Sequence, residues 1–336
     1  MMRTIVDVIR GEGWASAFVR TRERVEEAIR GLPNDSAAEI INYAPGGVAA
    51  RTGGIAVQLM ARLNAERELR AVYVCGPDIP VWPFRGADKN VCPTLHIEGT
   101  FGLDVPRVLA SGMRVIVSLH DETLTDRRLL DAATGVIVAS SYLRDRYGIG
   151  EVVAPASDSK PAISAGDGIA YAGSVKPHKG GALLSAIAKM LAERDLTLHV
   201  FGGGDVDLLR ALREHRNVAI HGYYRAGSLP TLLARHRIGF VFLPSIVAEA
   251  FSLTLSESWL AGAFVAAFDL GAPAERIRRE GGGALAPLAS GAAGLIDILD
   301  RWRAQRPPEI VHHVSTPADA AKAHLDLYRR WGVLRA

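Results

Sequence analysis

The feature that most constrains the fold of this chain is a regular alternation between short apolar runs and longer segments of helical period. Nine short runs, rich in Val and Ile, have the composition of strands buried on both faces of a sheet. They are Ile40–Tyr43, Arg70–Cys75, Arg114–Leu119, Gly135–Ala139, Ile169–Gly173, Leu196–Phe201, Val218–Gly222, Ile238–Leu243 and Phe264–Phe268. Between them, side chains such as Leu183, Ile187 and Leu191 recur at helical spacing. Strands that alternate with helices predict parallel sheets with right-handed crossovers, and therefore an α/β fold.

The alternation is interrupted near the middle of the chain. Residues 154–168 are rich in Ala, Ser, Pro and Gly, a composition typical of a linker. The chain has 336 residues, about twice the length of a common single domain. We therefore predict two doubly wound, Rossmann-like domains that face each other across a cleft, over residues 1–155 and 168–316. The last segment, 317–336, contains a predicted helix. The sequence leaves open whether this helix packs back on the N-terminal domain or on the C-terminal one.

Composition and charge exclude several classes of function. The formal net charge is +3 and the basic residues are scattered, which argues against a nucleic-acid partner and suits anionic small molecules. No apolar run reaches the ~20 residues of a membrane helix, and the N-terminus lacks the apolar core of a signal peptide. We therefore expect a cytoplasmic protein. The stretch Arg20–Arg30 alternates Arg with Glu, which is typical of a solvated helix face; peripheral contact with an acidic membrane is the alternative. Nothing in the sequence indicates an oligomeric state.

The sharpest chemical pattern directly follows the predicted strand that ends at Leu243. A loop with Glu249 comes next, and a helix is predicted to begin near Ser252, because Ser is a good N-cap residue. The backbone N–H groups of Phe251–Leu253 would then form an anion site, as helix N-termini do. Glu257 lies about one turn inside this helix. Two carboxylates so placed suit hydrogen bonds to sugar hydroxyls, although alone they could equally be exposed charges.

The surrounding motifs resemble, in order, those of the retaining GT-B glycosyltransferases of family 4, the glycosyl transferases group 1. The segments that carry the resemblance are Tyr171–Gly180, Leu198–Gly204, His221–Tyr223, Pro244–Glu257 and Trp259–Ala266. The resemblance implies the GT-B fold and transfer of a sugar, with retention of configuration, from a nucleoside-diphosphate sugar such as a UDP- or GDP-sugar to a hydroxyl acceptor. A glycan or lipid-linked glycan in polysaccharide biosynthesis would be a typical acceptor of the family, and no cofactor is implied.

The resemblance also assigns roles to single residues. Lys179 would contact the donor pyrophosphate, Glu257 the donor ribose, and Glu249 the hydroxyls of the transferred sugar. Ser174 stands where the family has Arg, and Lys176 is a nearby cation that would replace the lost charge. The other implied donor contacts are Gly53, Gly54, Gly203, Tyr223, Phe251, Ser252 and Leu253. Of these, Ser252 stands where the family has Gly.

Two segments of the N-terminal half resemble the same family. Val117–Asp121 ends a predicted strand with His-Asp, and the resemblance places His120 near the donor sugar. We therefore include His120 with Glu249 and Lys179 as candidate catalytic residues; a structural role is the alternative for a lone His. The pair Gly53 and Gly54 opens a predicted helix, where small residues let backbone N–H groups approach a phosphate. A flexible turn is the alternative for this pair.

We predict no metal ion at the reaction centre. The two cysteines show no metal-ligand spacing. Asp205 and Asp207 resemble the Asp-x-Asp of metal-dependent transferases, but they open a predicted helix, where Asp is a common cap. Fixed cations and helix N-termini are expected to stabilise the leaving diphosphate instead. The substitutions at Ser174 and Ser252 motivate an alternative, a degenerate GT-B module that binds a nucleotide-sugar or a partner without turnover.

Overall fold

The computed structural model describes residues 40–44, 71–75, 94–98, 103–120, 126–164, 166–308 and 312–333. These residues divide into two compact units. The described residues of the first, which we call the N unit, lie within Arg24–Ala156 and Ser315–Ala336. Those of the second, the C unit, lie within Ser157–Val314.

The N unit is built on a six-stranded sheet in which every strand pair is parallel. Its strands are β1 Ile40–Ala44, β2 Ala71–Cys75, β3 Thr94–Glu98, β4 Val115–Leu119, β5 Gly135–Val138 and β6 Glu151–Val152. Its first described helices are α1 Val105–Ala110, α2 Arg127–Ala132 and α3 Ser141–Tyr147. The strand order is β2-β1-β3-β4-β5-β6, so the direction of winding reverses between β1 and β3.

The C unit contains a second six-stranded parallel sheet. Its strands are β7 Gly168–Ala172, β8 Leu198–Phe201, β9 Val218–Gly222, β10 Ile238–Leu243, β11 Phe264–Phe268 and β12 Gly283–Ala286. Its helices are α4 Leu183–Ala192, α5 Val206–Arg213, α6 Leu229–Arg235, α7 Leu253–Leu260, α8 Gly271–Glu280 and α9 Gly291–Ala304. Short 3₁₀ helices are formed by Pro177–Lys179 and Leu288–Ser290. The strand order β12-β11-β10-β7-β8-β9 is that of a Rossmann sheet, with its reversal between β7 and β10.

Two apolar cores cover the faces of the C-unit sheet. One contains Ile187 of α4 and Leu295 of α9, packed with Phe240 and Phe242 of β10. The other contains helix residues of α6, α7 and α8, packed with alternate residues of the same strands. Its helix members are Leu229, Leu233, Leu255, Trp259 and Ile277. Helices on both faces of a parallel sheet confirm the predicted α/β class for this unit.

All nine predicted strands are present, with ends that differ by at most two residues. The prediction missed β3, β6 and β12. The most informative of these is β3, because all five of its residues are buried although Thr94, His96 and Glu98 are polar. A central strand with a polar face lacks the continuous apolar run that predicts a buried strand.

The helix α10, Pro317–Arg330, packs within the N unit. It begins with a capping box in which the side chains of Thr316 and Asp319 each accept from the other's backbone N–H. Its buried face includes Ala321, Leu325 and Tyr328. Of the two options left by the sequence, the helix therefore takes the N-terminal one.

The prediction of membrane contact rests on a stretch that lies outside the described residues, Arg20–Arg30. Among the helices that the structure describes, none combines the length and apolarity needed to span a bilayer. The phosphate-binding prediction for Gly53 and Gly54 also falls outside the described residues.

Candidate functional site

The loops that follow β7 and β10 meet at the point where the strand order of the C unit reverses. Gly180 brings them into contact: its φ is +75°, and a Cβ at this position would lie 1.9 Å from the carbonyl oxygen of Pro244. The N–H of Ile246 in the second loop donates to the carbonyl of His178 in the first, at 3.1 Å. In open α/β sheets, ligands bind outside the carboxyl ends of the strands at this kind of reversal. The topology therefore indicates that a ligand would bind at these two loops, at the carboxyl edge of the C-unit sheet.

Lys179 and Glu249 form an ion pair at this edge, one from each loop. The ammonium nitrogen of Lys179 lies 2.9 Å from Oε1 of Glu249, and their side chains are 34% and 15% exposed. The carbonyl of Glu249 accepts from the N–H of Ala272 in α8, which fixes its backbone. An ammonium has three N–H donors, so Lys179 can hold Glu249 and an anion together. The pair thus offers a cation for phosphate and a carboxylate for hydroxyl groups side by side.

The helix α7 begins beside Glu249, as predicted. Ser252 is its N-cap residue, and its Oγ accepts from the N–H of Leu255 at 3.4 Å. The backbone of Ser252 is left-handed, with φ 69° and ψ 91°. Only glycine adopts positive φ without steric cost. The geometry therefore explains why a glycine suits this position, and Ser252 keeps the same backbone at a cost in stability.

Replacing Ser252 by Gly is expected to stabilise the C unit by about 1 kcal/mol, because relief of the positive φ outweighs the few tenths lost from the Ser cap. Urea unfolding of both proteins measures the difference. Ser228→Gly serves as the matched control: Ser228 also precedes a helix but has φ −94°. There the change should be neutral or destabilising, since glycine adds only chain entropy. Equal or lower stability of Ser252→Gly would contradict the strain argument.

Arg276 of α8 supports the same loop and was not singled out from the sequence. Its Nη1 donates to the carbonyls of Phe251 and Ser252 at 3.1 and 3.2 Å, and its Nη2 donates to Oγ of Ser256 at 2.9 Å. The guanidinium lies 4.0 Å from the centre of the Phe251 ring. Burial lowers the pKa of Arg276 to about 10. In the sequence this residue belongs to the charged run Glu275–Glu280, which gives no sign that one Arg turns inward.

Glu257 lies inside α7 and is only 4% exposed. Its Oε1 accepts from Oγ of Ser159 at 3.2 Å, so the segment before β7 contacts the carboxylate. Ser159 was not among the predicted site residues. The contact between Glu257 and a donor ribose stays a prediction.

The remaining predicted donor contacts lie on the loops after β7, β8 and β9. Ser174 and Lys176 are exposed on the β7 loop, where the carbonyl of Ser174 accepts from the Tyr171 hydroxyl at 2.6 Å. Gly203 is buried, and its carbonyl accepts from the N–H of Val175. Tyr223 is half-buried directly after β9. All four thus follow the carboxyl ends of neighbouring strands of one sheet. In the β8 loop, Asp205 caps α5, as expected from its place before a helix.

In the N unit, His120 follows β4 and contacts a buried carboxylate. Its Nε2 lies 2.6 Å from Oε2 of Glu98, at the end of β3. Burial alone would raise the pKa of Glu98, but the imidazoles of His96 and His120 outweigh burial and lower it to about 2. A carboxylate only accepts hydrogen bonds, so Nε2 of His120 is the donor in this contact.

The carboxylate of Glu98 belongs to a buried polar chain. His96 contacts Oγ of Ser118 through Nε2 at 2.7 Å and the hydroxyl of Tyr328 through Nδ1 at 2.6 Å. Burial lowers the pKa of His96 to about 4, so its ring is neutral at pH 7. A small pocket opens beside this chain at the carboxyl ends of β4 and β5. Its polar lining consists of Glu98, Ser118, His120 and His324. The sequence did not predict a role for Glu98 and His96, because they lie in β3, which was not predicted as a strand.

Comparison with known proteins identifies the fold and gives a family match over part of the chain. The family model of the glycosyl transferases group 1 matches residues 166–302. No curated protein matches the chain in sequence. Alr3699/HepE of Anabaena, solved with UDP and glucose, superposes with a TM-score of 0.64 at 13% identity, covering 87% of this chain and 99% of that chain. Sucrose-phosphate synthase of Thermosynechococcus elongatus gives 0.64 at 17% identity, covering 87% and 98%. A glycosyltransferase of Rickettsia africae ESF-5 gives 0.61 at 13% identity, covering 88% and 98%.

At identities this low, the superpositions establish the fold. The family match covers the β7 and β10 loops, and with them Lys179 and Glu249. The chain therefore has the GT-B glycosyltransferase fold, and its residues 166–302 match the family model of the glycosyl transferases group 1.

Proposed function

We propose that this protein is a retaining glycosyltransferase that moves a sugar from a nucleoside-diphosphate sugar to a hydroxyl acceptor. The observation that carries the proposal is the Lys179–Glu249 ion pair at the strand-order reversal of a glycosyl transferases group 1 segment. The anion site at the start of α7 supports it. The Anabaena HepE structure contains UDP and glucose, which makes UDP-glucose the first donor to test.

In the proposed reaction, the bond between the anomeric carbon and the diphosphate oxygen breaks while the acceptor oxygen approaches the same face of the sugar. The acceptor proton passes to the departing diphosphate oxygen, and configuration is retained. Lys179 and the N–H groups at the start of α7 stabilise the negative charge that develops on the diphosphate. Glu249 holds hydroxyls of the transferred sugar. Arg276 acts through the loop by fixing the carbonyls of Phe251 and Ser252.

In this proposal the N unit binds the acceptor, which is a glycan or a lipid-linked glycan. Its pocket beside His120 is lined by the Glu98 carboxylate and by hydrogen-bonding groups of Ser118 and His120. A carboxylate repels an anionic acceptor, whereas hydrogen-bonding groups suit the hydroxyls of a sugar. The role of His120 at the transferred sugar stays a prediction from the family resemblance.

Purified protein is expected to release a nucleoside diphosphate from one nucleotide-sugar in the presence of EDTA, because Lys179 and α7 supply the positive charge that a metal ion supplies elsewhere. A thermal-shift screen of nucleotide-sugars selects the donor, since a bound ligand raises the unfolding temperature by mass action. Release is then measured with and without EDTA. A strict requirement for Mn²⁺ in donor turnover would contradict the proposed chemistry.

The second candidate is a GT-B module that binds its donor without turnover. The exposed Ser174 favours it, because the family has an Arg cation at this position. Calorimetry separates the two: donor binding with no product across a broad panel of hydroxyl acceptors supports the module, whereas release of diphosphate with any acceptor supports the enzyme.

A further inference from the structure

Three histidines from three separate elements of the C unit converge at one edge of its sheet. His199 lies in β8, His221 in the neighbouring edge strand β9, and His236 directly after α6. Each offers one ring nitrogen, and these three nitrogens all lie within 4.8 Å of one another. The closest pair is Nδ1 of His199 and Nε2 of His221, at 3.0 Å. The three rings are far apart in sequence, so the fold itself gathers them.

This cluster, which we call the histidine triad, lies apart from the Lys179–Glu249 pair. His236 precedes β10, which begins at Ile238, whereas Glu249 follows the end of that strand at Leu243. The ring of His221 stacks on Phe201 with centroids 4.4 Å apart, so an apolar side chain covers the triad on one side. His221 is exposed, which leaves the other side open to solvent and to an entering ion.

The chemistry of the triad suits a transition-metal ion. Imidazole is a preferred ligand of Zn²⁺, Cu²⁺ and Ni²⁺, and it binds them in its neutral form. Within the described part of the chain, no carboxylate forms an ion pair with any of the three. The set is therefore three imidazole nitrogen donors.

We propose that His199, His221 and His236 form a binding site for a divalent transition-metal ion of the Zn²⁺ class, with water as the fourth ligand. Tetrahedral Zn²⁺ with bonds of ~2.0–2.1 Å places its nitrogen ligands about 3.3–3.4 Å apart. The 3.0 Å pair must open slightly and the wider separations must close. Rotation of the exposed His221 ring supplies most of this movement. A bound ion would tie the α6–β10 connection to β8 and to the edge strand β9, and it would stabilise the C unit without taking part in sugar transfer.

The test uses full-length protein without a histidine tag, stripped with EDTA and then dialysed, and Zn²⁺ as the titrant in calorimetry. We expect one strong site per chain. His221→Ala and His236→Ala should each weaken it by at least about tenfold, because each removes one of three protein ligands. His215→Ala is the matched control, since His215 also lies in the C unit but outside the triad; its affinity should equal that of the wild type.

A Co²⁺ titration gives a second readout, because a tetrahedral site produces intense visible absorption that His221→Ala should abolish. Absence of Zn²⁺ binding by the wild type would overturn the proposal. Wild-type affinity in both His221→Ala and His236→Ala would overturn it as well, since the ion would then bind elsewhere. Diphosphate release by His221→Ala at low temperature should match that of the wild type, so failure of the metal site and failure of the transferase proposal remain distinguishable.

Discussion

Glu249→Gln is expected to lower the turnover of donor and acceptor by at least about a hundredfold, the usual cost of losing a charged contact at a reaction centre. Gln keeps the shape of Glu249 but loses the charge that faces the ammonium of Lys179 at 2.9 Å. It also replaces one oxygen acceptor for a sugar hydroxyl by an amide donor. Steady-state release of the nucleoside diphosphate, measured at saturating donor, gives kcat directly.

The matched control for this experiment is Glu275→Gln. Glu275 forms an ion pair with Arg279 at 2.6 Å within α8, so the substitution removes a comparable charge pair outside the β7 and β10 loops. Its activity should stay near that of the wild type. Lys179→Met should resemble Glu249→Gln, because the leaving diphosphate loses its cation. Wild-type values of both kcat and KM in Glu249→Gln would refute the assignment of the site. A raised KM with unchanged kcat would instead limit Glu249 to holding the donor in the ground state.

The fold could be predicted because parallel strands that are buried on both faces appear in the sequence as apolar runs. Strands such as Ile238–Leu243 have no polar residue to confuse the pattern, and they alternate with helices at regular intervals. The strand Thr94–Glu98 breaks that rule. Its His and Glu are buried because partners from other elements, among them Tyr328 and His120, satisfy their hydrogen bonds. Such partners are not visible in a local window of sequence.

The same limit applies to the candidate site. Lys179, Glu249 and Ser252 could be named as candidates because they stand in short motifs whose position after a strand already indicates an exposed loop. Arg276 was missed because it contacts the loop from 25 residues away, by donating to the carbonyl of Phe251. Backbone carbonyls carry no sequence signal, so a residue whose function is to hold them cannot be recognised from motif and spacing alone. The positive φ of Ser252 likewise appears only with the backbone.

The region around β3 is expected to lose stability steeply as the pH falls below 6.5. Burial lowers the pKa of His96 from 6.5 to about 4, although the Glu98 carboxylate opposes this change. Between these two values the unfolded chain binds a proton that the folded chain does not, so the free energy of unfolding falls with pH. At about 1.4 kcal/mol per pH unit, the loss by pH 4 is about 3 kcal/mol. His324 is also buried with a lowered pKa and acts in the same direction.

The free energy of unfolding continues to fall below pH 4.5 because of Glu98, whose pKa is lowered from 4.5 to about 2. Between these two values the unfolded chain binds a proton at Glu98 that the folded chain does not. Hydrogen exchange of peptides that cover β3 and β4, followed from pH 7 to pH 4 and corrected for intrinsic rates, reports this local stability.

His96→Gln should flatten the pH dependence of this local stability between pH 6.5 and pH 4, because the amide does not titrate. His215→Gln, outside the N unit, should leave it unchanged. A variant slope equal to that of the wild type would show that some other group carries the acid sensitivity. A flattened slope would identify His96 as the residue that limits the stability of the N unit, the proposed acceptor-binding unit, in acid.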